Sequence, residues 1–239
     1  MRLVCAVAAL LAVSIAGAAE QWPQLRHTCY AVLLAPEGGE IAFKLQSIPK
    51  GTYPDWLQYA LIDRTGEEVL WDQIRPGAQR SVSAPVRTPG LHVIEMSTGW
   101  NLATLAFGTQ PWAMVVSDRL PLQTVGEVER LYFYVPAGVS EFSAFVSASV
   151  TGETVRLEIA DPNSQVIAVI DGDVDKPEKL TVTVPEGQAG TVWSFSIMKA
   201  QTADGYVDDV MLHFSDNIPP YAAETQEAAV AFGTRGEQQ

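Results

Sequence analysis

Apolar and polar residues alternate with a period of two along most of this chain. Ile41, Phe43 and Leu45 interleave with Ala42, Lys44 and Gln46, and Val155, Leu157 and Ile159 with Thr154, Arg156 and Glu158. Leu180, Val182 and Val184 interleave with Thr181 and Thr183, and Val210, Leu212 and Phe214 repeat the pattern near the C-terminus. Successive side chains of an extended strand point to opposite faces, so the pattern predicts half-buried antiparallel strands. The run 165–170 is apolar on both faces and leaves its direction open. Turn chemistry falls between the strands, at Pro36-Glu-Gly-Gly, Arg64-Thr-Gly, Pro89-Gly, Pro162-Asn-Ser and Asp171-Gly. Only residues 222–231 offer a short helix.

The pattern is also written twice. Tyr30-Ala-Val-Leu-Leu34, Ile41-Ala-Phe-Lys-Leu45 and Leu57-Gln-Tyr-Ala-Leu-Ile-Asp63 form one series. Leu131-Tyr-Phe-Tyr-Val135, Phe142-Ser-Ala-Phe-Val146 and Val155-Arg-Leu-Glu-Ile-Ala-Asp161 form a second in the same order, offset by 98 to 101 residues. Pro85 and Gly90 recur as Pro185 and Gly190. Seven or eight short strands in about 90 residues is the inventory of a β-sandwich of jelly-roll or immunoglobulin-like type. The chain is therefore expected to be all-β, with two tandem antiparallel β-sandwich domains at 28–117 and 125–215 related by internal duplication. The rival explanation is that any two sandwiches share such alternation; a common strand order is what duplication requires. The connector 118–124 is short, so the domains should touch. Pro219-Pro220 ends the last strand, and 218–239, poor in core formers, is expected to be a flexible tail.

Met1-Arg2, an apolar run over 3–15 and Ala16-Gly-Ala-Ala19 have the three-part form of a cleavable export signal at 1–19. The apolar run is shorter than the ~20 residues that span a bilayer. Export places the mature chain outside the cytoplasm, secreted or periplasmic, with no integral membrane segment. Loss of the leader removes Arg2 and no acid, moving the formal charge from −13 to −14. Such acidity repels phosphate backbones, so nucleic acid is excluded as a partner. Of the two cysteines only Cys29 survives cleavage, which leaves either an interchain disulfide or a small buried apolar residue.

Residues 131–222 carry Phe133-Tyr-Val-Pro-Ala-Gly138, Ala160-Asp-Pro162, Pro185-Glu-Gly187, Val192-Trp-Ser-Phe195 and Asp208-Asp-Val210. On these pieces the second half resembles modules of secreted proteins of planctomycete-like bacteria and, more distantly, bacterial pre-peptidase C-terminal domains. The resemblance implies a non-catalytic sandwich of the kind attached to exported hydrolases, where it aids substrate contact, secretion or folding. No catalytic domain stands beside these modules here, so the resemblance implies an accessory role exercised in trans.

Candidate chemistry is sparse. The chain has three histidines, His27, His92 and His213, and none of the spaced motifs of zinc hydrolases, serine hydrolases or phosphate-binding loops. His213 alternates with apolar neighbours and should face solvent; His92 lies in an apolar strand and reads as a packed residue. Asp171-Gly-Asp-Val-Asp175 places Asp171, Asp173 and Asp175 on one turn, hard oxygen donors that suit Ca²⁺. The competing explanation is a solvated acidic turn, with Lys176 opposing a cation. Asp208 and Asp209 could add ligands if the fold brings them near. No other cofactor is expected. Of the six tryptophans, Trp193 reads as core and Trp112 can be core. Trp56 and Trp100 lie in turn-like surroundings, where flat rings could take sugar faces while Tyr53, Asp55 and Asn101 meet hydroxyls. Trp71 follows a strand; burial at the sandwich ends is the alternative for all three.

The sequence thus points to an exported, non-catalytic binding protein with carbohydrate or an extracellular protein as partner. The alternatives are a structural component of a larger extracellular or periplasmic complex and, third, a polysaccharide-active enzyme with a scattered site.

Overall fold

The computed structural model describes residues 23–235. The leader expected at 1–19 lies outside the described residues, as does Trp22. Strands β1 (Gln24–Ala35), β2 (Glu40–Ile48), β3 (Leu57–Ile62), β4 (Glu68–Ile74), β5 (Gln79–Pro85) and β6 (Gly90–Phe107) build the first half. Strands β7 (Trp112–Val115) and β8 (Leu122–Val125) occupy the middle. Strands β9 (Val128–Val135), β10 (Glu141–Ala148), β11 (Thr154–Ala160), β12 (Val166–Asp173), β13 (Glu178–Thr183), β14 (Thr191–Met198), β15 (Val210–Phe214) and β16 (Tyr221–Ala223) follow, then one helix, α1 (Gln226–Gly233). The ladders that join these strands are antiparallel, as the alternation predicts, and the fold is all-β.

Two layers result, joined because β1 and β6 bend and enter both. The front layer runs β4-β3-β6-β1-β7-β16-β9-β14-β11-β12, using residues 90–97 of β6 and 28–35 of β1. The back layer runs β5-β2-β6-β1-β8-β15-β10-β13, using 102–107 of β6 and 24–26 of β1. The bend in β1 is a bulge at His27, whose φ of 58° is unusual for a side chain. The bend in β6 falls at Gly99, with φ of 57°. Both layers continue through the middle of the chain. The expected connector 118–124 is therefore not a free link: Leu122–Val125 forms β8, paired with β1 on one side and β15 on the other.

The two halves share one strand order, β4-β3-β6-β1-β7 in front matching β12-β11-β14-β9-β16. Their details match too. Asp63 and Asp161 each end an equivalent strand and accept backbone N–H groups two and four residues on, Thr65 and Glu67 in one half, Asn163 and Gln165 in the other. A register shift falls at Leu61/Ile62 and again at Ile159/Ala160. One landmark needs correction. Inward positions are Ala31, Leu33 and Ala35 in β1 and Leu131, Phe133 and Val135 in β9, an offset of 100, whereas the sequence alignment at 101 would exchange the faces.

The inward faces meet in one continuous core. Phe133 of the front layer stacks on Phe214 of the back, ring centroids 4.5 Å apart, and Trp193 meets Phe142 edge-on at 5.5 Å. Phe43 and Tyr59 cross the first half in the same way. The C-terminal segment differs from the flexible tail expected at 218–239. Tyr221–Ala223 bridges β7 and β9, and α1 lies on the outer face of the front layer at the seam. Thr225 caps the helix by accepting from the Ala228 N–H, and Phe232 is completely buried with Val32, Ala113 and Ala229. The composition of the tail concealed this because alanines and a single phenylalanine suffice to seat one short helix.

Candidate functional site

Two of the exposed aromatic rings, Tyr53 and Trp100, stack where β6 bends, and exposed Trp56 follows on the same loop as Tyr53. The loop 49–56 between β2 and β3 lies against residues 98–101, and buried polar side chains fix it there. Asn101 is wholly buried; its amide donates to the Tyr53 carbonyl (3.1 Å) and the Asp55 carbonyl (2.8 Å), and its oxygen accepts the Lys50 N–H (2.8 Å). Asp55 accepts the Trp100 N–H at 3.0 Å. A Cβ on Gly99 would come 2.5 Å from the Asp55 carboxyl carbon, so glycine is required for the close approach as well as for its positive φ.

The ring of Trp100 is held from several sides. Tyr53 stacks on it with centroids 5.9 Å apart, His27 meets it edge-on at 5.0 Å, and the Arg26 guanidinium lies 5.4 Å from its centre. Arg26 is itself buried. Its Nε and Nη2 donate to the Trp100 carbonyl, and its Nη1 donates to both carboxylate oxygens of Asp209 at 2.5 and 2.7 Å. Lys50 meets Asp208 at 3.3 Å. The loop before β15 thus braces the site from the second half. Tyr53, Trp56 and Trp100 remain 45%, 47% and 47% exposed.

The residues predicted from sequence are therefore brought together, with divided tasks. Tyr53, Trp56 and Trp100 present surface; Asn101 spends its amide, and Asp55 one carboxylate oxygen, within the protein, and together they set the loop. Burial removes Asn101 from the hydroxyl-binding role expected of it. Sequence reasoning missed Arg26, His27 and Lys50, and read Asp208 and Asp209 as possible metal ligands. No local motif marks them, because the contacts span 51 to 183 residues.

Asp171, Asp173 and Asp175 turn to separate protein partners. Asp171 pairs with Arg156 at 2.6 Å and accepts the Gln201 and Thr202 N–H groups; burial opposes its ionisation, but these bonds hold its carboxyl below the usual carboxylate range. Asp173 accepts the Asp175 N–H, and Asp175 accepts those of Gly152 and Glu153. Among the described residues no three His, Cys, Asp or Glu side chains are gathered to hold a metal ion.

Trp193 and Trp112 are core, as is His92. His213 is half-buried rather than solvent-facing, stacked on Phe145 at 4.7 Å with Asp118 at 3.6 Å, and burial lowers its pKa. Cys29 is buried with carbonyls of Arg26 and Gln123 at 3.4 and 3.5 Å, and burial pushes its thiol up to about 12 despite those bonds. That environment suits a packed thiol and keeps the Cys29 sulfur from the surface, where an interchain bond would form. No helix among the described residues is long and apolar enough to cross a membrane. No protein-family model matches the chain, and no curated protein matches it.

Proposed function

We propose that this chain is an exported, non-catalytic binding protein whose ligand is a glycan seated on Tyr53, Trp56 and Trp100. The observation that carries this reading is the pre-formed surface: the half-exposed rings of Tyr53 and Trp100 stack on each other, fixed by a buried asparagine, a carboxylate and the buried Arg26–Asp209 pair, with exposed Trp56 on the same loop as Tyr53. Flat aromatic faces stack against the C–H faces of sugar rings, and a platform already ordered loses little entropy on binding. The carboxylates beside it are engaged with the protein's own donors, which suits binding rather than acid–base chemistry. The leader-like residues 1–19 and the resemblance of the second half to secreted accessory modules support an extracellular or periplasmic setting.

The test is affinity electrophoresis against soluble polysaccharides with the wild-type protein, Trp56→Ala and Trp100→Ala. Each substitution is expected to weaken retention at least tenfold with the melting temperature of Trp56→Ala unchanged. Equal retention by all three proteins would remove the platform from the account. Tryptophan and tyrosine also anchor protein interfaces. A protein partner that competes at this platform, with every glycan silent, would favour the second reading of an assembly component.

A further inference from the structure

A concavity lies on the outer face of the front layer in the first half. It measures about 370 Å³, within the range of ligand sites, and is lined by Gln58, Ala60, Glu68, Trp71, Glu95 and Ser97 among others. Its geometry follows from register. Ala60 is flanked across the sheet by Trp71 of β4 on one side and Glu95 of β6 on the other. With strands about 4.8 Å apart, a large ring and a carboxylate stand ~10 Å apart over a methyl floor. Trp71 is 53% exposed. Tyr30 stands opposite Glu95 on β1, and burial together with that carboxylate raises the pKa of its hydroxyl. No lysine, arginine or histidine lines the groove, whereas two carboxylates do.

The second half supplies an internal comparison. In matching register Arg156 stands at the place of Gln58, Glu158 at that of Ala60, Val169 at that of Trp71 and Ser196 at that of Glu95. There the sheet face is occupied by the protein's own cation: Arg156 meets Glu158 at 2.7 Å and Asp171 at 2.6 Å. The first half keeps carboxylates on this face, replaces the arginine by an amide, and adds an exposed tryptophan.

We infer that this groove binds an amine-bearing glycan, a chain of β-linked glucosamine type, with its ammonium between Glu95 and the Trp71 ring. A cation is attracted both to a carboxylate and to an indole face. The C–H face of the same sugar stacks on Trp71, and the Gln58 amide and Ser97 hydroxyl meet ring hydroxyls. The inference shares with the proposed function only the class of ligand; it uses a different surface and different residues.

The experiment is calorimetric titration of the full mature chain with three β-1,4-linked hexamers, of glucosamine, of N-acetylglucosamine and of glucose, beside an oligolysine peptide of equal charge. Variants are Trp71→Ala, Glu95→Gln and Gln58→Arg, the last placing an arginine where the second half already carries one and so expected to fold. The glucosamine hexamer should bind best, and each variant should weaken it at least tenfold. Retention of neutral glycans on the Trp56 and Trp100 platform should be unchanged in Gln58→Arg. The inference is overturned by no saturable binding of the glucosamine hexamer, by full affinity in Trp71→Ala and Gln58→Arg, or by oligolysine binding as tightly without regard to Trp71. A silent platform with an active groove would instead count against the proposed function alone.

Discussion

Asp63 and Asp161 show how single residues set the chain's turns. Each carboxylate closes a hairpin by accepting backbone N–H groups, so each must be ionised to do so fully. The Thr65 hydroxyl, with the Thr65 and Glu67 N–H groups, holds the Asp63 carboxyl down to about 2 from its usual 3.8. Burial pushes Asp161 the other way, but bonds from Gln165, Asn163 and Gln188 outweigh it and lower its pKa as well. A carboxyl lowered on folding contributes stability above its unfolded pKa, and the contribution is lost as pH falls through the folded one. Asp63→Asn should therefore have a lower urea midpoint than wild type at pH 7, with the gap closing as pH falls from about 4 toward about 2. A gap independent of pH would mean that the charge does not hold the turn. Sequence made these aspartates visible as paired landmarks, since Asp before a polar turn is a local signal. It could not show the burial of Asn101 or the pairing of Arg26, which depend on distant strands.

Among the elements, β1 and β6 matter most, because each bends and serves both layers. The bends at His27 and Gly99 are also what bring Trp100, Tyr53 and Arg26 together. The period-two pattern announced β2, β11, β13 and β15 directly, and the repeated series marked β3 and β10. The change of layer within β6 appears instead as a change of phase at Gly99, the buried positions passing from Ile94, Met96 and Thr98 to Asn101, Ala103 and Leu105. The short β8 and β16 were hidden for another reason: flanking prolines and small residues read as linker and tail, yet their backbones complete ladders. Helix α1 is the element most readily tested. Phe232 is entirely buried on the outer face of the seam, beside Tyr221 at 5.6 Å. Phe232→Ala should cost about 3–5 kcal/mol in a denaturant titration, the usual range for a large buried ring. A cost below about 1 kcal/mol, typical of a surface site, would return the segment to the status of a loose tail.

At the scale of the whole molecule, the two halves match in strand order, turns and register shifts. The halves are nonetheless joined, since both layers run unbroken across the seam. The Arg26–Asp209 pair joins them a second time, across 183 residues of sequence and beneath the platform. Removing one partner of a buried ion pair strands the other charge, so Asp209→Ala should destabilise the protein by about 3–5 kcal/mol. It should also loosen Trp100, visible as a shift of tryptophan emission before unfolding. Unaltered emission and stability would mean that the pair is no brace. The acidic surface, formal charge −13 for the full chain, fits ligands that are neutral or cationic better than anionic ones.

Glycan binding at Tyr53, Trp56 and Trp100, proposed above, is open to direct test. The most direct measurement is tryptophan fluorescence of the mature chain titrated with a panel of soluble glycans, repeated on Trp56→Ala. A saturable change is expected with at least one glycan, and at least a tenfold loss of affinity in the variant at unchanged stability. No saturable change with any glycan, or the same titration curve in the variant, would contradict it.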